Sequence, residues 1–299
     1  MSTSRTPPSG RHHELRHSTP LAGYCVMGNP VAHSMSPWIH ARFAELTGQA
    51  LRYDKRLIPR EEFRSAVHGF MREGGCGCNV TLPFKLQAAT LADQCSERAA
   101  LAQAANVLTF KDGVIFADNT DGAGLVGDIQ CHAGVALRAR RVLLIGAGGA
   151  AAGALGPLLR ARPDQLTLTN RTLANAQALV QRHAALAAQH GVELLAQAAP
   201  ALKGSFDIVI NASAASLSGA AVPVGADALK PGALAYDMMY GPAAQTFMTW
   251  AREHGAIVRD GLGMLVEQAA LAFAIWRGIV PPAQQVLAEL QAYMQGSRA

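Results

Sequence analysis

A short apolar strand followed by a glycine-rich loop is the feature that most constrains this chain. The strand is predicted over residues 141–145 (RVLLI), and it leads into G-A-G-G-A-A at residues 146–151. This order fits the dinucleotide-binding pattern G-x-G-x-x-G/A in its required context, with a strand before and a helix after. Gly146 permits the tight turn, Gly148 lets the backbone approach a pyrophosphate, and Ala151 lets the helix pack closely on the strand. The alternative is an Ala- and Gly-rich turn without a ligand.

The end of the next strand indicates which dinucleotide binds. NAD-binding proteins usually place a carboxylate about 20 residues further on, where it holds the ribose 2′-hydroxyl. Here the strand at 165–169 ends in Asn170-Arg171-Thr172, without an acid. A carboxylate would repel a 2′-phosphate, whereas Arg171 can pair with it through charge-assisted hydrogen bonds. The sequence therefore favours NADP, and the alternative is that Arg171 is a solvated residue at a strand end.

Strands and helices alternate along most of the 299 residues, and the length favours two α/β domains. The final stretch, 262–295, is helical and strongly apolar on one side, and by itself it does not show which domain it contacts. The other predicted strands are 21–28, 51–58, 76–82, a hairpin of 106–110 and 114–117, 192–195, 206–210, 233–237 and 256–259. The other predicted helices follow Ser36-Pro37, cover 60–72 and 96–104, and begin at Pro83 and near Asp121.

Charge and composition exclude several classes of protein. The net charge is +5 and the pI about 9.1, but the basic residues are scattered, which argues against nucleic-acid binding. No apolar run is long enough to span a bilayer, and residues 1–20 lack the apolar core of a signal peptide. We interpret them as a flexible tail. The tail contains H-E-x-x-H at 13–17, but no apolar face would dock it as a helix, so a zinc protease is not expected.

Five cysteines form no disulfide pattern, and Cys76 and Cys78 have no second pair with which to complete a zinc site. Buried free thiols in a reducing cytoplasm are the expected state. No metal site is predicted.

Three segments of the first half concentrate small polar residues at predicted strand ends, where open parallel sheets build their sites. They are residues 33–37, 79–85 and 118–122, and Asn106 joins them. Their hydroxyls, amides, lysine and carboxylate suit a polyhydroxylated, carboxylated ring. Taken singly they are ambiguous: Ser36 and Asp121 also fit helix caps, and Lys85 also fits a surface lysine.

The order of the motifs resembles that of the bacterial shikimate dehydrogenase family over about residues 22–295. The matching segments are G-N-P-V-A-H-S-x-S-P at 28–37, N-V-T-x-P-F-K at 79–85, D-N-T-D-G at 118–122, G-A-G-G-A at 146–150, N-R-T at 170–172, Y-D-M-x-Y at 236–240 and D-G-L-G-M-L-V-x-Q-A-A at 260–270.

The resemblance implies a fold of two open α/β domains, an N-terminal substrate domain and a C-terminal Rossmann NADP-binding domain, with a deep cleft between them. It returns the C-terminal helices to the first domain, so the expected domains are 21–122 with 262–299, and 123–261. The implied activity is reversible, NADP-dependent reduction of 3-dehydroshikimate to shikimate in aromatic amino acid biosynthesis. The implied binding partner is the small-molecule substrate, shikimate or 3-dehydroshikimate, and neither nucleic acid nor a membrane is expected to bind. The protein is expected to be a monomer or a homodimer.

The resemblance also implies a role for each matching residue. The catalytic pair is Lys85 and Asp121. Ser34 and Ser36 are the carboxylate-binding residues, and Thr81, Asn106, Asp121, Tyr240 and Gln268 bind and position the ring. The cofactor residues are Gly146, Ala147, Gly148, Gly149, Ala150, Asn170, Arg171, Thr172, Met238, Gly261 and Glu97.

Two departures from the family pattern bear on specificity. The family often has a second basic residue soon after N-R-T, where this chain has Asn175, and many members read V-N-T where this chain reads A-N-V at 105–107. Two other functions therefore stay open: a quinate/shikimate dehydrogenase with relaxed NAD or NADP use, and a non-catalytic NADP-binding sensor. Retention of both Lys85 and Asp121 argues against the sensor.

Overall fold

The computed structural model describes residues 21–213 and 221–296 and contains two six-stranded sheets flanked by helices. The chain therefore has the predicted architecture of two open α/β domains. The predicted tail at 1–20, with its H-E-x-x-H stretch, lies outside the described residues. Within the described part, no helix has the length and apolar character needed to cross a membrane.

The first sheet is mixed, with strand order β2-β1-β3-β5-β6-β4. Strand β1 is parallel to β2 and β3, whereas β5 is antiparallel to β3 and to β6. The sequence predicts a largely parallel sheet and the hairpin. The turn at Asp112-Gly113 makes β6 antiparallel to β5, whereas β5 is already reversed relative to β3 before this turn. The strands are β1 Ala22–Gly28, β2 Leu51–Leu57, β3 Gly75–Val80, β4 Gln94–Cys95, β5 Val107–Lys111 and β6 Val114–Asp118.

Four helices accompany this sheet: α1 Ser36–Thr47, α2 Phe63–Arg72, α3 Lys85–Leu91 and α4 Glu97–Ala102. Helix α1 ends where predicted, with Gly48 in the left-handed conformation. The predicted starts of two helices are too early. Helix α2 begins at Phe63, and α3 begins at Lys85 rather than at Pro83. The short strand β4 was not predicted, because two exposed residues carry no periodic pattern.

The second sheet is entirely parallel, with order β12-β11-β10-β7-β8-β9. This is the order of a Rossmann dinucleotide-binding fold. The central strand β7 is buried on both faces, with Val142 and Leu144 in one core and Leu143 and Ile145 in the other. The strands are β7 Arg141–Ile145, β8 Gln165–Thr169, β9 Glu193–Ala196, β10 Phe206–Asn211, β11 Leu229–Asp237 and β12 Ile257–Arg259.

The helices of the second half are α5 Asp121–Gly127, α6 Gly149–Arg160, α7 Leu173–His190 and α8 Gln245–Glu253, and a π-helical turn, Asp128–His132, extends α5. Between β10 and β11 the described residues form only a 3-10 turn at Ala226–Ala228.

The C-terminal stretch consists of two helices, α9 Leu262–Arg277 and α10 Ala283–Gly296, where the sequence predicts one. The interruption follows from Gly278, which takes the left-handed conformation, and from the two prolines that come next. Both helices pack on α1 in a core that contains Ile39, Phe43, Phe273 and Leu290. The last helices thus pack against α1 beside the first sheet, and the predicted domain limits stay a prediction.

A buried ion pair joins the two places where the chain passes between the sheets. Asp128, fully buried after α5, accepts two hydrogen bonds from Arg259 at the end of β12, with distances of 2.9 and 2.5 Å. The Tyr236 hydroxyl also donates to Asp128, at 2.6 Å. A Cβ on Gly263 would overlap the Asp128 carboxylate, so only glycine fits at this position of α9. No pattern in the sequence indicated this contact.

The cysteines are free thiols, as predicted, although not all are buried. Cys25 and Cys78 are buried, Cys76 is intermediate, and Cys95 and Cys131 are exposed. Burial therefore shields only Cys25 and Cys78 fully from solvent.

Candidate active site

A cleft of about 970 Å³ lies between the carboxyl ends of the two sheets. Residues after β1 and β3 line one side, and residues after β7, β8, β10 and β11 line the other. The cleft brings together every predicted site residue except one: Ser34, Ser36, Thr81, Lys85, Asn106, Asp121, Gly146, Ala147, Gly148, Gly149, Ala150, Asn170, Arg171, Thr172, Met238, Tyr240, Gly261 and Gln268.

The exception is Glu97, at the start of α4. Its side chain is 81% exposed, lies outside the cleft lining and forms an ion pair with Arg160 of α6 at 2.7 Å. A cofactor contact by Glu97 stays a prediction. Helix α4 borders α6, so the residue is near the nucleotide loop without facing the cleft.

Lys85 and Asp121 form an ion pair in the cleft. Lys85 Nζ lies 2.7 Å from Asp121 Oδ2, and the two side chains are only 14% and 6% exposed. Each is the first residue of its helix, so the segment that ends the preceding strand fixes its position. A carboxylate at a helix N-terminus also interacts favourably with the helix dipole. The alternative that Lys85 is a surface lysine is therefore wrong.

Asn106 connects this pair to the last helices. Its side-chain Nδ2 lies 2.9 Å from Asp121 Oδ1 and 3.0 Å from Gln268 Oε1. Its Oδ1 accepts a hydrogen bond from the backbone N–H of Thr120 at 2.8 Å. Asn106 is 2% exposed, so these bonds form away from bulk water, where they hold the carboxylate rigidly.

Ser34 and Ser36 line the cleft on the side of the first sheet, in the segment that follows β1. The Ser34 hydroxyl donates to Ser36 Oγ at 3.2 Å, and Ser36 is buried. Met35 occupies the N-cap position of α1, so Ser36 is the first helical residue and its hydroxyl stays in the cleft rather than capping the helix.

Tyr240 reaches across from the second sheet, and its hydroxyl donates to the carbonyl oxygen of His33 at 3.3 Å. Burial raises the pKa of the Tyr240 hydroxyl, so it remains a neutral donor.

The glycine-rich loop has the geometry of a phosphate cradle. Gly146 has φ of +115°, a region that favours glycine, and a Cβ there would lie 3.1 Å from the backbone of Ala212. Gly148 precedes α6 and borders open space, so its backbone is accessible from the cleft. No described side chain caps α6, which leaves its first N–H groups for an anion. Ala151 is fully buried, as close helix packing requires. These residues fit a dinucleotide.

The loop after β8 forms the far end of the cleft. Arg171 is exposed there, and Asn170 Nδ2 donates to the Thr172 carbonyl oxygen at 2.9 Å, which fixes the turn. Among the described residues that line the cleft, Asp121 alone carries a carboxylate. This end therefore suits a phosphate, and Asn175 faces the same space.

Met238 and Gly261 line the cleft after β11 and β12. A Cβ on Gly261 would lie 2.4 Å from the Met238 carbonyl oxygen, so the close approach of these two segments requires glycine.

The cleft is also lined by polar residues that were not among the predicted site residues, namely Asn79, Thr169, Asn175, Asn211 and Ser213. Asn79 is 5% exposed and stands in the quoted N-V-T motif, which was the available signal. Thr169 is buried, and its Oγ1 has no hydrogen-bonding partner among the residues that the structure describes. Side chains alternate between the two faces of β8, so the sequence indicates which face Thr169 occupies. No sequence pattern indicates that its hydroxyl lacks a hydrogen-bonding partner among the described residues.

Together, the Rossmann sheet, the phosphate cradle and the lysine–carboxylate pair define a two-domain, dinucleotide-dependent α/β enzyme. Family models agree along the chain: shikimate dehydrogenase substrate binding domain at residues 26–108, shikimate / quinate 5-dehydrogenase at 130–219, and shikimate 5'-dehydrogenase C-terminal domain at 261–291. The chain belongs to the shikimate dehydrogenase family.

Individual relatives give the same assignment. The shikimate dehydrogenase (NADP(+)) of Acidovorax sp. (strain JS42) is 63% identical over 269 residues, which cover 90% of this chain and 95% of that protein. An Ael1 enzyme from Pseudomonas putida has a similar structure, with 48% identity, a TM-score of 0.83, and coverage of 90% of this chain and 98% of that one. Shikimate 5-dehydrogenase from Thermus thermophilus in complex with NADP(H) and shikimate is 29% identical, with a TM-score of 0.76 and coverage of 90% and 98%.

Proposed function

We propose that this chain is an NADP-dependent shikimate dehydrogenase that reversibly reduces 3-dehydroshikimate to shikimate. The observation that carries the proposal is the position of the buried Lys85–Asp121 pair beside the nucleotide loop: a Cβ on Gly149 would lie 3.5 Å from Lys85 Cβ. A proton-transferring group is thus adjacent to the site that fits the cofactor. The name of the Acidovorax relative supports both the reaction and NADP.

The source of the hydride for the ring carbonyl carbon would be NADPH held by the cleft residues. Lys85 would donate a proton from Nζ to the carbonyl oxygen, so that an alcohol forms instead of an alkoxide. In the reverse direction, Lys85 would accept that proton. Asp121 orients the Lys85 ammonium through its 2.7 Å contact and presents an acceptor to the neighbouring ring hydroxyl.

The other cleft residues would hold the ring. Ser34 and Ser36 present hydroxyl donors to the substrate carboxylate, and Thr81, Asn106, Tyr240 and Gln268 face the ring hydroxyls. Aligning the ring with the cofactor is expected to contribute more to the rate than proton transfer does. Closure of the cleft would exclude water.

The cofactor end would be held by the 146–150 loop and by Asn170, Arg171, Thr172, Met238 and Gly261. Arg171 would pair with the 2′-phosphate, and the absence of a carboxylate beside it among the described lining residues supports NADP. Asn175 gives only a neutral side chain where a second cation would strengthen that preference, which supports partial use of NAD.

Domain limits, location and assembly are part of the same proposal. Residues 21–122 with 262–299 would form the substrate domain, and 123–261 the nucleotide domain. A reducing cytoplasm is part of the proposal because the five cysteines of the sequence form no disulfide pattern. The protein would act as a monomer or homodimer.

The deciding experiment is NADP reduction by purified protein with shikimate, followed by absorbance and repeated with quinate and with NAD. Shikimate-dependent reduction that favours NADP supports the proposal. Comparable rates with quinate or NAD would instead identify a quinate/shikimate dehydrogenase with relaxed cofactor use. Binding of NADP without turnover on either substrate would identify a sensor.

A further inference from the structure

Tyr53 is buried behind the wall of the cleft and does not line it. The residue lies on β2 and is 8% exposed. Its hydroxyl donates to Asn79 Oδ1 at 2.6 Å, and Asn79 does line the cleft. Burial raises the pKa of Tyr53 well above 10.0, so the hydroxyl keeps its proton and remains a donor.

Asn79 extends this contact toward the catalytic pair. Its Nδ2 donates to the main-chain carbonyl oxygen of Asn106 at 3.2 Å, and the backbone N–H of Val80 donates to the same oxygen at 2.8 Å. The Asn106 side chain then contacts Asp121, which contacts Lys85. The Tyr53 hydroxyl is therefore connected to the lysine by hydrogen bonds that meet at Asn106, one set at its main-chain oxygen and the other at its side chain.

The same hydroxyl is adjacent to the serine wall. The side chain of Ser36 interacts with the Tyr53 hydroxyl and partly opposes the rise in its pKa caused by burial. Ser36 is 5% exposed and accepts a hydrogen bond from Ser34 at 3.2 Å. Tyr53 is thus a neighbour of Ser36 and is connected to the catalytic pair through Asn79.

The ring of Tyr53 is held in place from the side. His40 of α1 stacks on it with centroids 4.2 Å apart and planes at 6°, and the Trp276 ring lies 6.4 Å away. Within the described part of the chain, neither His40 nitrogen has a partner with hydrogen-bonding geometry, so His40 acts on Tyr53 through its ring face. A fixed ring gives its hydroxyl one position, which is what a positioning residue requires.

We propose that Tyr53 is a positioning residue for the dehydrogenase reaction, which sets the distance between the carboxylate-binding serines and the Asp121–Lys85 pair through one buried hydroxyl. The inference rests on the proposed function, because it assumes that a carboxylated ring spans these two groups. Tyr53 does not touch the reacting atoms. Loss of the Tyr53 hydroxyl would leave Asn79 Oδ1 buried without this donor. The distance between the serines and the Asp121–Lys85 pair would then be held less firmly.

The test compares Tyr53→Phe with Tyr24→Phe. Tyr24 is the register partner of Tyr53 on β1, is 4% exposed, and stacks on Trp276. Both changes remove one buried hydroxyl from the same cluster, but the Tyr24 hydroxyl interacts with Arg277 at the C-terminal end of α9. Tyr53→Phe is expected to lower kcat/KM for shikimate about tenfold, with the KM for NADP within about twofold of the parent, whereas Tyr24→Phe leaves both near the parent values.

A second comparison separates positioning from loss of stability. In an Asp121→Asn background, Tyr53→Phe should add little to the loss of activity, because its effect passes through Asp121. Equal effects of the two tyrosine substitutions, or an equal rise in both Michaelis constants, would overturn the inference while leaving the proposed function intact. An unsubstituted protein that does not oxidise shikimate would overturn both.

Discussion

Lys85 and Asp121 stand 36 residues apart in the sequence, yet Lys85 Nζ lies 2.7 Å from Asp121 Oδ2 in a setting almost closed to water. The contact exists because β3 and β6, the strands that precede these residues, flank β5 in one sheet and both lead toward the cleft. Each member of the pair is thus positioned by its own strand end, and Asn106, which directly precedes β5, bonds to Asp121 between them.

Replacement of Lys85 tests the proton-transfer role. Lys85→Ala is expected to lower turnover about 10²–10⁴-fold, since hydride transfer would proceed without a positioned acid or base. The fold should be retained, because α3 keeps its buried Ala88 and Leu91, and Asp121 keeps the hydrogen bond from Asn106. Loss of the cation beside Asp121 is nevertheless expected to lower stability. The exposed Lys111→Ala variant is the matched control. Full activity in Lys85→Ala would remove Lys85 from the mechanism.

Arg171 and Asn175 together test cofactor choice. Arg171→Ala is expected to raise the KM for NADP far more than that for NAD, because only NADP carries the phosphate that the guanidinium would bind. Asn175→Arg should act in the opposite direction, with a lower KM for NADP. Steady-state kinetics with both cofactors measure this, with the exposed Arg64→Ala as control. Equal effects of Arg171→Ala on the two cofactors would place the phosphate elsewhere.

The buried Asp128–Arg259 pair is expected to dominate local stability. Arg259→Met would leave the fully buried Asp128 carboxylate with the Tyr236 hydroxyl but without its cation. A loss on the order of 3 kcal/mol in the free energy of unfolding is expected, measured by urea denaturation. Arg52→Met breaks an exposed pair with Asp54 and should cost at most about 1 kcal/mol. Similar losses in both variants would contradict the prediction.

His40 predicts a dependence of stability on pH. Burial lowers its pKa from 6.5 to about 3, partly opposed by Asn79, and its ring neighbours are Phe43, Tyr53, Phe273 and Trp276. Between these pH values the unfolded chain binds a proton that the folded chain does not, so this contribution to stability falls as pH drops from 6.5 toward 3. The slope is about 1.4 kcal/mol per pH unit.

The comparison variant is His40→Leu, which cannot bind that proton. Its unfolding free energy, measured by denaturant titration at several pH values, should lack this component of the slope. Parallel curves for the parent and His40→Leu would show that His40 takes up its proton equally in both states.

Local signals in the sequence were sufficient for the nucleotide half. The strand before the 146–151 loop and the Asn170-Arg171-Thr172 turn lie where the sequence predicts them, because each depends on neighbouring residues only. The strand order of the mixed first sheet could not be predicted in the same way. Its strand order depends on how β5 and β6 insert between β3 and β4, and no periodicity of a single segment reveals that.

Contacts between distant segments account for the rest. The carboxylate of Asp128 meets Arg259 131 residues later, and the side chain of Asn106 meets Gln268 162 residues later. The identity of each residue is compatible with many roles. For Glu97, the family resemblance implies a cofactor contact, but its side chain forms an ion pair with Arg160 outside the cleft lining. Only the folded arrangement distinguishes such cases.

Because α9 and α10 pack on α1, the order of synthesis and the order of assembly differ in this chain. The ribosome completes α1 early, yet Ile39 and Phe43 gain their helical cover only when the last residues have emerged. Until then these two residues lack that cover, whereas every strand of the nucleotide half has already been made. Premature termination near residue 260 would therefore damage the part of the protein that was made first.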